Sequence, residues 1–149
     1  MSETLGMAGV GPTSHAIFRV ARLHKALAGR LLRESGLHPG QELVLMTLWT
    51  DGPQRQVDLA TAIDSDAPTM ARSVARLEKA GLVRRTRSDT DGRVVVVEAT
   101  EAGRALRPKV EAAWRELERL TVGSLSSEEL AAIRHDLELL EENLESLGR

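Results

Sequence analysis

The chain has 149 residues, of which 42% are hydrophobic and 28% charged, and this balance predicts a single domain with a core that needs no metal or disulfide. It contains no cysteine, which excludes a disulfide framework, a thiol redox sensor and a cysteine-ligated zinc site, and which fits a cytoplasmic protein. Residues 1–12 are predicted to be disordered and lack the pattern of a secretory signal, and no apolar run approaches the ~18 residues of a membrane helix, so no membrane partner is expected.

Charge is distributed unevenly along the chain, although the formal net charge is only −2. Residues 54–93 hold 8 basic and 6 acidic side chains, whereas residues 94–149 hold 7 and 12. Most of the basic side chains of the middle block fall in one window of 22 residues: Arg72, Arg76, Lys79, Arg84, Arg85, Arg87 and Arg93. The window predicts a local cationic surface of the kind that binds nucleic-acid phosphates.

Three helices are predicted in the first half of the chain from apolar residues at three- and four-residue steps. The first covers residues 13–35 and ends at Gly36, and the second begins at Pro39, a residue suited to a first turn, and ends at Asp51. The third is short and covers residues 55–63. Its predicted buried residues are Val57, Leu59, Ala60 and Ile63.

A fourth helix is predicted after a turn at residues 64–66, with Ser65 or Asp66 as its N-cap and Gly81 as its end. Its predicted buried face consists of Met70, Val74 and Leu77. The other faces carry hydrogen-bond donors, namely Thr69, Arg72, Ser73, Arg76 and Lys79. A helix of this composition is suited to the DNA major groove, because its buried side packs while its donors face outward.

A β-hairpin is predicted directly after this helix, because the apolar period changes from 3.6 to 2. Its first strand opens at residues 82–83, its tip covers residues 88–93, and its second strand covers residues 94–97. Gly92 is expected to adopt a positive φ in the tip. A helix pair followed by a basic hairpin predicts a winged helix-turn-helix, in which one helix enters the major groove and the wing contacts the flanking DNA.

From Thr100 the chain is again predicted to be helical, and Ser126 with Glu129 forms a capping box for the last helix. The last helix carries an apolar stripe at heptad-like spacing: Leu130, Ile133, Leu137, Leu140, Leu144 and Leu147. A stripe on a terminal helix requires a partner, so we expect a homodimer. The alternative is that the stripe packs only within its own chain.

Several stretches resemble the MarR family of bacterial transcriptional regulators, and the resemblance covers the chain from about residue 14 onward. They are residues 57–60, the recognition-helix stretch from Thr69 to Val83, the wing signature 91–93, and residues 100–103. Two departures concern DNA contacts, because a second wing Asp-any-Arg repeat is missing at residues 88–90 and Pro68 replaces a small hydroxylated residue. A third, Ala99 in place of a leucine, concerns packing.

The predicted fold class is therefore mainly α with a small β-hairpin wing. We expect a disordered segment at 1–12 and a single MarR-like domain at 13–149. In this domain 13–35 and 100–149 supply dimerisation helices, and 39–99 form the winged helix-turn-helix.

The chemistry of the motif predicts a sequence-specific double-stranded DNA-binding regulator that recognises an inverted-repeat operator. Arginine donates two hydrogen bonds to guanine, and Arg72, one turn into the helix, is the favoured base-contacting residue. The candidate DNA-binding residues are Arg55, Gln56, Ser65, Asp66, Ala67, Pro68, Thr69, Arg72, Ser73, Arg76, Arg87, Thr90 and Arg93. The alternative is a winged-helix protein–protein interaction module without DNA binding, which would not require the arginine cluster.

The resemblance further implies a dimeric repressor of nearby genes, released by a small aromatic or anionic effector. By resemblance alone, its binding residues would be Phe18, Arg22, His24 and Trp49. No cofactor is expected, and the four histidines show no metal-binding spacing. The absence of nucleophile-elbow, Walker and dinucleotide-binding motifs indicates that the protein is not an enzyme.

Overall fold

The computed structural model describes residue 6 and residues 8–148. Its elements in chain order are α1 (Pro12–Leu32), a 3₁₀ helix (Arg33–Ser35), α2 (Gln41–Asp51), β1 (Gln54–Arg55), α3 (Gln56–Ile63), α4 (Ala67–Lys79), β2 (Val83–Arg87), β3 (Val95–Ala99), α5 (Glu101–Ala105), α6 (Arg107–Val122) and α7 (Ser127–Glu145). The predicted fold class, mainly helical with a small hairpin wing, is confirmed. No helix in the described part of the chain combines the length and apolar character that crossing a bilayer requires.

The first two helices differ from the prediction at their beginnings. Residues 8–10 are helical, whereas disorder was expected at residues 1–12. Most of the other residues in that expected segment, 1–5 and 7, lie outside the described residues. The second helix begins at Gln41 and not at Pro39, because Gly40 adopts a φ of 98° that a right-handed helix cannot contain. The Gly40 N–H instead donates to the Glu42 carboxylate at 2.8 Å. Gly36 ends the first helical segment, as predicted, with a φ of 75°.

The hydrophobic core lies where α2, α3, α4 and the sheet meet. Its fully buried side chains are Leu32, Val44, Leu45, Leu59, Val74, Leu77, Val83, Val97 and Val110. Burying each such side chain contributes roughly 1.5–3 kcal/mol before the entropy of ordering is subtracted. The prediction for α3 was partly wrong, because Val57 is 61% exposed and Ile63 only half-buried, whereas Leu59 and Ala60 are buried. The helix presents a narrower apolar face than its composition indicated.

The wing belongs to a three-stranded antiparallel sheet of order β1-β3-β2. The two-residue strand β1 pairs Gln54 with Val97 and was not predicted, because two residues carry no periodicity. The expectation for Gly92 was wrong, since the φ of this glycine is not positive. The tip closes without one: the Val94 N–H donates to the Asp91 carbonyl at 2.9 Å, and the Asp91 carboxylate accepts from the Arg93 N–H at 3.0 Å.

A junction centred on Thr100 joins the wing to the following helices. The Thr100 hydroxyl donates to the Gly81 carbonyl at 2.6 Å and accepts from the Gly103 N–H at 3.1 Å, while the Thr100 N–H donates to the Leu82 carbonyl. Trp49 of α2 donates from its indole N–H to the Gly103 carbonyl at 3.2 Å. This backbone approach leaves no space beside Gly103, where a Cβ would overlap the Leu82 carbonyl oxygen.

The C-terminal half contains three helices in place of the two that were predicted. The segment from Thr100 divides into α5 and α6 at Leu106, because Pro108 stands in the first turn of α6 and has no N–H for a continuous helix. The predicted capping box of α7 is confirmed: Glu129 N–H donates to Ser126 Oγ at 3.1 Å, and Ser126 N–H to the Glu129 carboxylate at 3.2 Å.

The apolar stripe of α7 is only partly covered by its own chain, since Leu130 and Leu140 are half-buried. Leu137 is 55% and Leu144 66% exposed, and no residue of the helix is fully buried. Helix α1 also exposes large apolar side chains, namely Ile17, Phe18, Val20 and Leu23. The intrachain alternative for the stripe is therefore not what the structure shows.

We predict that Gly103→Ala lowers the free energy of unfolding by about 1–3 kcal/mol, since the added methyl overlaps a backbone carbonyl that can move only with the wing. Urea denaturation followed by circular dichroism measures the change. Gly92→Ala is the control, because a Cβ added there would meet nothing within 4 Å and the φ of Gly92 is not positive. Equal stability of the two variants would contradict the close approach.

Candidate nucleic-acid interface

Helix α4 has a buried face and an outward face, as the sequence predicted. Met70, Val74 and Leu77 are all buried in the core. Of the two candidate caps, Asp66 is the N-cap, and its Oδ1 accepts from the Thr69 N–H at 2.8 Å. This bond, together with the bond from the Thr69 hydroxyl, lowers the pKa of the Asp66 carboxyl, which is therefore ionised at neutral pH.

The outward face of α4 carries the predicted hydrogen-bond donors. Thr69, Arg72 and Arg76 lie toward solvent, and Ser73 is half-buried. The Arg72 guanidinium donates to Thr69 Oγ1 at 3.2 Å. Arg76 and Lys79 take part in no salt bridge within the described residues, so their charges are not neutralised by the protein. A cationic helix surface of this kind attracts phosphate and base acceptors.

The turn between α3 and α4 is held by backbone hydrogen bonds. Asp64 has a φ of 56°, the one positive φ of a non-glycine residue in the described chain, and the Ser65 N–H donates to the Ala60 carbonyl at 2.8 Å. Ala67 and Pro68 follow as the exposed first residues of α4. The turn fixes the angle at which α4 leaves α3, and with it the direction of the exposed donors.

Two arginines of strand β2 form ion pairs with acidic residues of the same chain. Arg85 donates from its backbone N–H and its guanidinium to the Glu78 carboxylate of α4, each at 2.9 Å, and this contact lowers the pKa of Glu78. Arg84 pairs with Glu98 across the hairpin at 2.7 Å. The charge count of the basic window did not reveal this pairing, because the partners are separated by 7 and 14 residues and meet only when the wing folds.

The remaining wing residues lie at the tip. Arg87 donates to the Gly92 carbonyl at 2.6 Å and pairs with no acid in the described part of the chain. Arg93 pairs with Asp91 at 3.3 Å, yet its side chain is 93% exposed. Thr90 hydrogen-bonds Ser88 at 2.9 Å. Arg93 therefore has both an internal partner in the turn and the exposure that a DNA contact requires.

The two residues proposed at the start of α3 are less available. Arg55 forms a bidentate pair with Asp58 at 2.8 and 3.0 Å, so its charge is locally neutralised. Gln56 has a buried Oε1 with no hydrogen-bond partner among the described residues. Neither side chain presents a free charge to a phosphate.

The four residues suggested for an effector do not come together in one chain. Arg22 lines an open hollow of about 990 Å³ between α1 and the α1–α2 turn. Trp49 lines a separate hollow of about 250 Å³ beside Arg104 and Arg107. Phe18 is exposed on α1, and neither Phe18 nor His24 lines either hollow. The described residues contain no group of three or more His, Asp or Glu side chains that would hold a metal ion.

Comparison with known proteins decides the family. The MarR family model matches residues 37–95, which span the helix-turn-helix and most of the wing. The transcriptional repressor NicR of Pseudomonas putida is 30% identical over 134 residues, covering 90% of this chain and 85% of NicR. The chain belongs to the MarR family.

Solved structures of similar proteins support the assignment of this chain to the MarR family. BpsR of Bordetella bronchiseptica, whose DNA binding is regulated by 6-hydroxynicotinic acid, is 27% identical with a TM-score of 0.81, covering 87% of this chain and 98% of BpsR. Reduced AbfR bound to DNA is 26% identical with a TM-score of 0.79, covering 95% of this chain and 96% of AbfR. The MarR-family protein is thus a DNA-binding transcriptional regulator, and the protein–protein module is not supported.

We predict different effects for two exposed arginines. Arg72→Ala should reduce discrimination between operator bases by roughly 1–3 kcal/mol, the value of one bidentate contact between an arginine and guanine, which is the contact predicted for Arg72. Arg93→Ala should instead weaken all duplexes about evenly and reduce the slope of log affinity against log salt by about one. Fluorescence anisotropy across salt concentrations measures both.

Arg84→Ala is the matched control for these variants, because it also removes a wing charge but one already paired with Glu98. Its salt slope should change less than that of Arg93→Ala. If Arg93→Ala altered base discrimination while Arg72→Ala weakened all duplexes evenly, the two roles would be reversed.

Proposed function

We propose that the protein is a homodimeric repressor that binds an inverted-repeat operator with two α4 helices and is released by a small anionic effector. The observation that carries the proposal is the combination, in one chain, of an exposed cationic α4 and an apolar stripe on α7 that is only partly covered. The first requires an acceptor-rich ligand and the second requires a second copy.

The dimer follows from the amount of apolar surface that α1 and α7 expose. Leu137 and Leu144 of α7, with Phe18, Val20 and Leu23 of α1, are each more than half exposed. Each such side chain, once buried, contributes roughly 1.5–3 kcal/mol. Monomeric proteins rarely expose this much large apolar surface to water, which supports pairing through these helices.

Two-fold pairing also accounts for operator recognition. One α4 contacts only a few base pairs, and joining two of them makes the second contact intramolecular. We expect half-sites about 10 to 10.5 base pairs apart, or a multiple of that spacing, arranged as an inverted repeat. In this proposal Arg72 contacts base edges, Thr69, Ser73 and Arg76 flank it, and Arg87, Thr90 and Arg93 contact the backbone or minor groove.

The effector proposal rests on the charge of the larger hollow. No acidic residue lines it. Its lining contains several basic side chains, namely Arg22, Lys25, Arg30, Arg33 and His38. Leu23, Ala26, Leu37 and Pro39 supply apolar walls. Such a site suits a planar carboxylate, and the 6-hydroxynicotinic acid that regulates BpsR belongs to that chemical class.

We also infer the class of this protein and the cellular compartment in which it acts. Because NicR is a transcriptional repressor, we infer that the present chain regulates transcription and catalyses no reaction. A regulator of this type works where the chromosome is, which in bacteria is the cytoplasm.

We predict that Leu137→Glu shifts the protein from dimer to monomer and abolishes operator binding at concentrations where the wild type binds, since the carboxylate would have to be buried in the pair. Sedimentation velocity and mobility shift measure the two effects. Leu139→Glu is the control, because Leu139 is also exposed on α7 but lies outside the stripe. A monomeric wild type would contradict the proposed dimer.

We predict that 6-hydroxynicotinic acid, used as a probe, weakens duplex binding about 5- to 150-fold at saturation, the range of typical allosteric coupling. Arg33→Ala should reduce the probe's affinity without changing binding to DNA in its absence. 6-Hydroxynicotinamide, which differs from the probe only by an amide in place of the carboxylate, is the matched ligand control. Equal effects of the acid and the amide would contradict an anion site.

A further inference from the structure

Thr69 lies between an acid and an arginine on the exposed face of α4. Its hydroxyl donates to Asp66 Oδ2 at 2.9 Å, and its oxygen accepts from the Arg72 guanidinium at 3.2 Å. The direction of both bonds is fixed by chemistry, because an ionised carboxylate only accepts and a guanidinium only donates. We call these three hydrogen-bonded residues the triad.

The triad is continuous with the N-cap of α4. Asp66 Oδ1 accepts from the Thr69 backbone N–H at 2.8 Å, so both carboxylate oxygens bind the same residue. Steps of three residues place Asp66, Thr69 and Arg72 next to one another along one side of the helix. The hydroxyl is thereby held with its lone pairs available to Arg72.

We propose that Asp66 and Thr69 are positioning residues that hold the Arg72 guanidinium in place before DNA arrives, and so set how strictly this arginine discriminates between bases. The inference rests on the proposed function, in which Arg72 contacts base edges. Arg76 and Lys79, on the same helix, have no such support among the described contacts.

The energetic consequence is a smaller entropy loss on binding. Immobilising a long side chain at an interface costs about 0.5–1.5 kcal/mol, which corresponds to about twofold to tenfold in affinity. A pre-positioned guanidinium avoids part of that loss only where the matching base acceptors are present. The triad should therefore favour the correct sequence over a substituted one, with little effect on non-specific binding.

The triad also explains an acid at the DNA-facing start of α4. A carboxylate repels phosphates, and asparagine would serve equally well as an N-cap. Asparagine offers a single acceptor oxygen, however, which would have to accept both the capping bond and the hydroxyl bond. Asp66 supplies two acceptors, one for each task.

The test replaces the hydroxyl and leaves the cap in place. Thr69→Val keeps the β-branched shape and the backbone N–H that Asp66 accepts, whereas Thr69→Ser keeps the hydroxyl as a matched control. The probes are a duplex enriched by the wild-type protein from a random-sequence pool, its single-base-pair variants, and an unrelated duplex. Thermal melting confirms that each variant is folded.

We expect Thr69→Val to lose about twofold to tenfold in the affinity ratio between the enriched duplex and its variants, with a smaller loss on the unrelated duplex than on the enriched one. Thr69→Ser should retain the wild-type ratio. In an Arg72→Ala background, Thr69→Val should have no further effect, because Thr69 acts through Arg72.

Three outcomes would overturn the inference. They are an unchanged ratio in Thr69→Val, an equal loss on every duplex, and a loss that persists in the Arg72→Ala background, which would make Thr69 a direct DNA contact. A wild-type protein that enriches no duplex would instead remove the DNA-recognition function, and the role of the triad with it.

Discussion

Burial of Met70, Val74 and Leu77 fixes the rotation of α4 about its axis, and the orientation of the exposed donors on its other faces depends on that rotation. At about 100° per residue, a change in which residues pack inward would turn Arg72 away from solvent. The Asp66 cap and the left-handed Asp64 fix where the helix begins. Position and direction are thus determined by packing, while the outward residues are free to vary with the operator.

The wing is held by two kinds of contact with different consequences. The Glu78–Arg85 pair ties it to α4, and the Thr100–Gly103 junction ties it to α2, to α5 and to residues 81–82 between α4 and β2. The ion pair is partly exposed and contributes modestly to stability, whereas the junction consists of several hydrogen bonds to backbone groups around the buried Gly103. A movement of α5 or α6 would therefore be transmitted to the wing through backbone contacts, which are hard to deform.

Tertiary pairing decides which of the clustered arginines keep a free charge, and position in the sequence does not. Arg84 and Arg85 are neutralised by acids, whereas Arg76 and Arg87 form no ion pair with any residue that the structure describes. The acid-free hollow at the end of α1 is a second cationic region, next to α1 side chains that lie uncovered. An anion bound there would lie close to the surface that we propose for pairing, which gives an effector a physical route to the spacing of the two α4 helices.

The sequence by itself determined the helix-turn-helix, the wing, an N-cap of α4 at either Ser65 or Asp66, and the capping box of α7, because each depends on local periodicity or on residues three or four positions apart. The family resemblance carried by residues 57–60 and 91–93 also came from the sequence. Tertiary structure decided which arginines are paired, the two-residue strand β1, the exposure of Val57 and the separation of Trp49 from Arg22. These features depend on contacts between segments far apart in the chain, and no periodic pattern in one segment specifies what another segment places beside it.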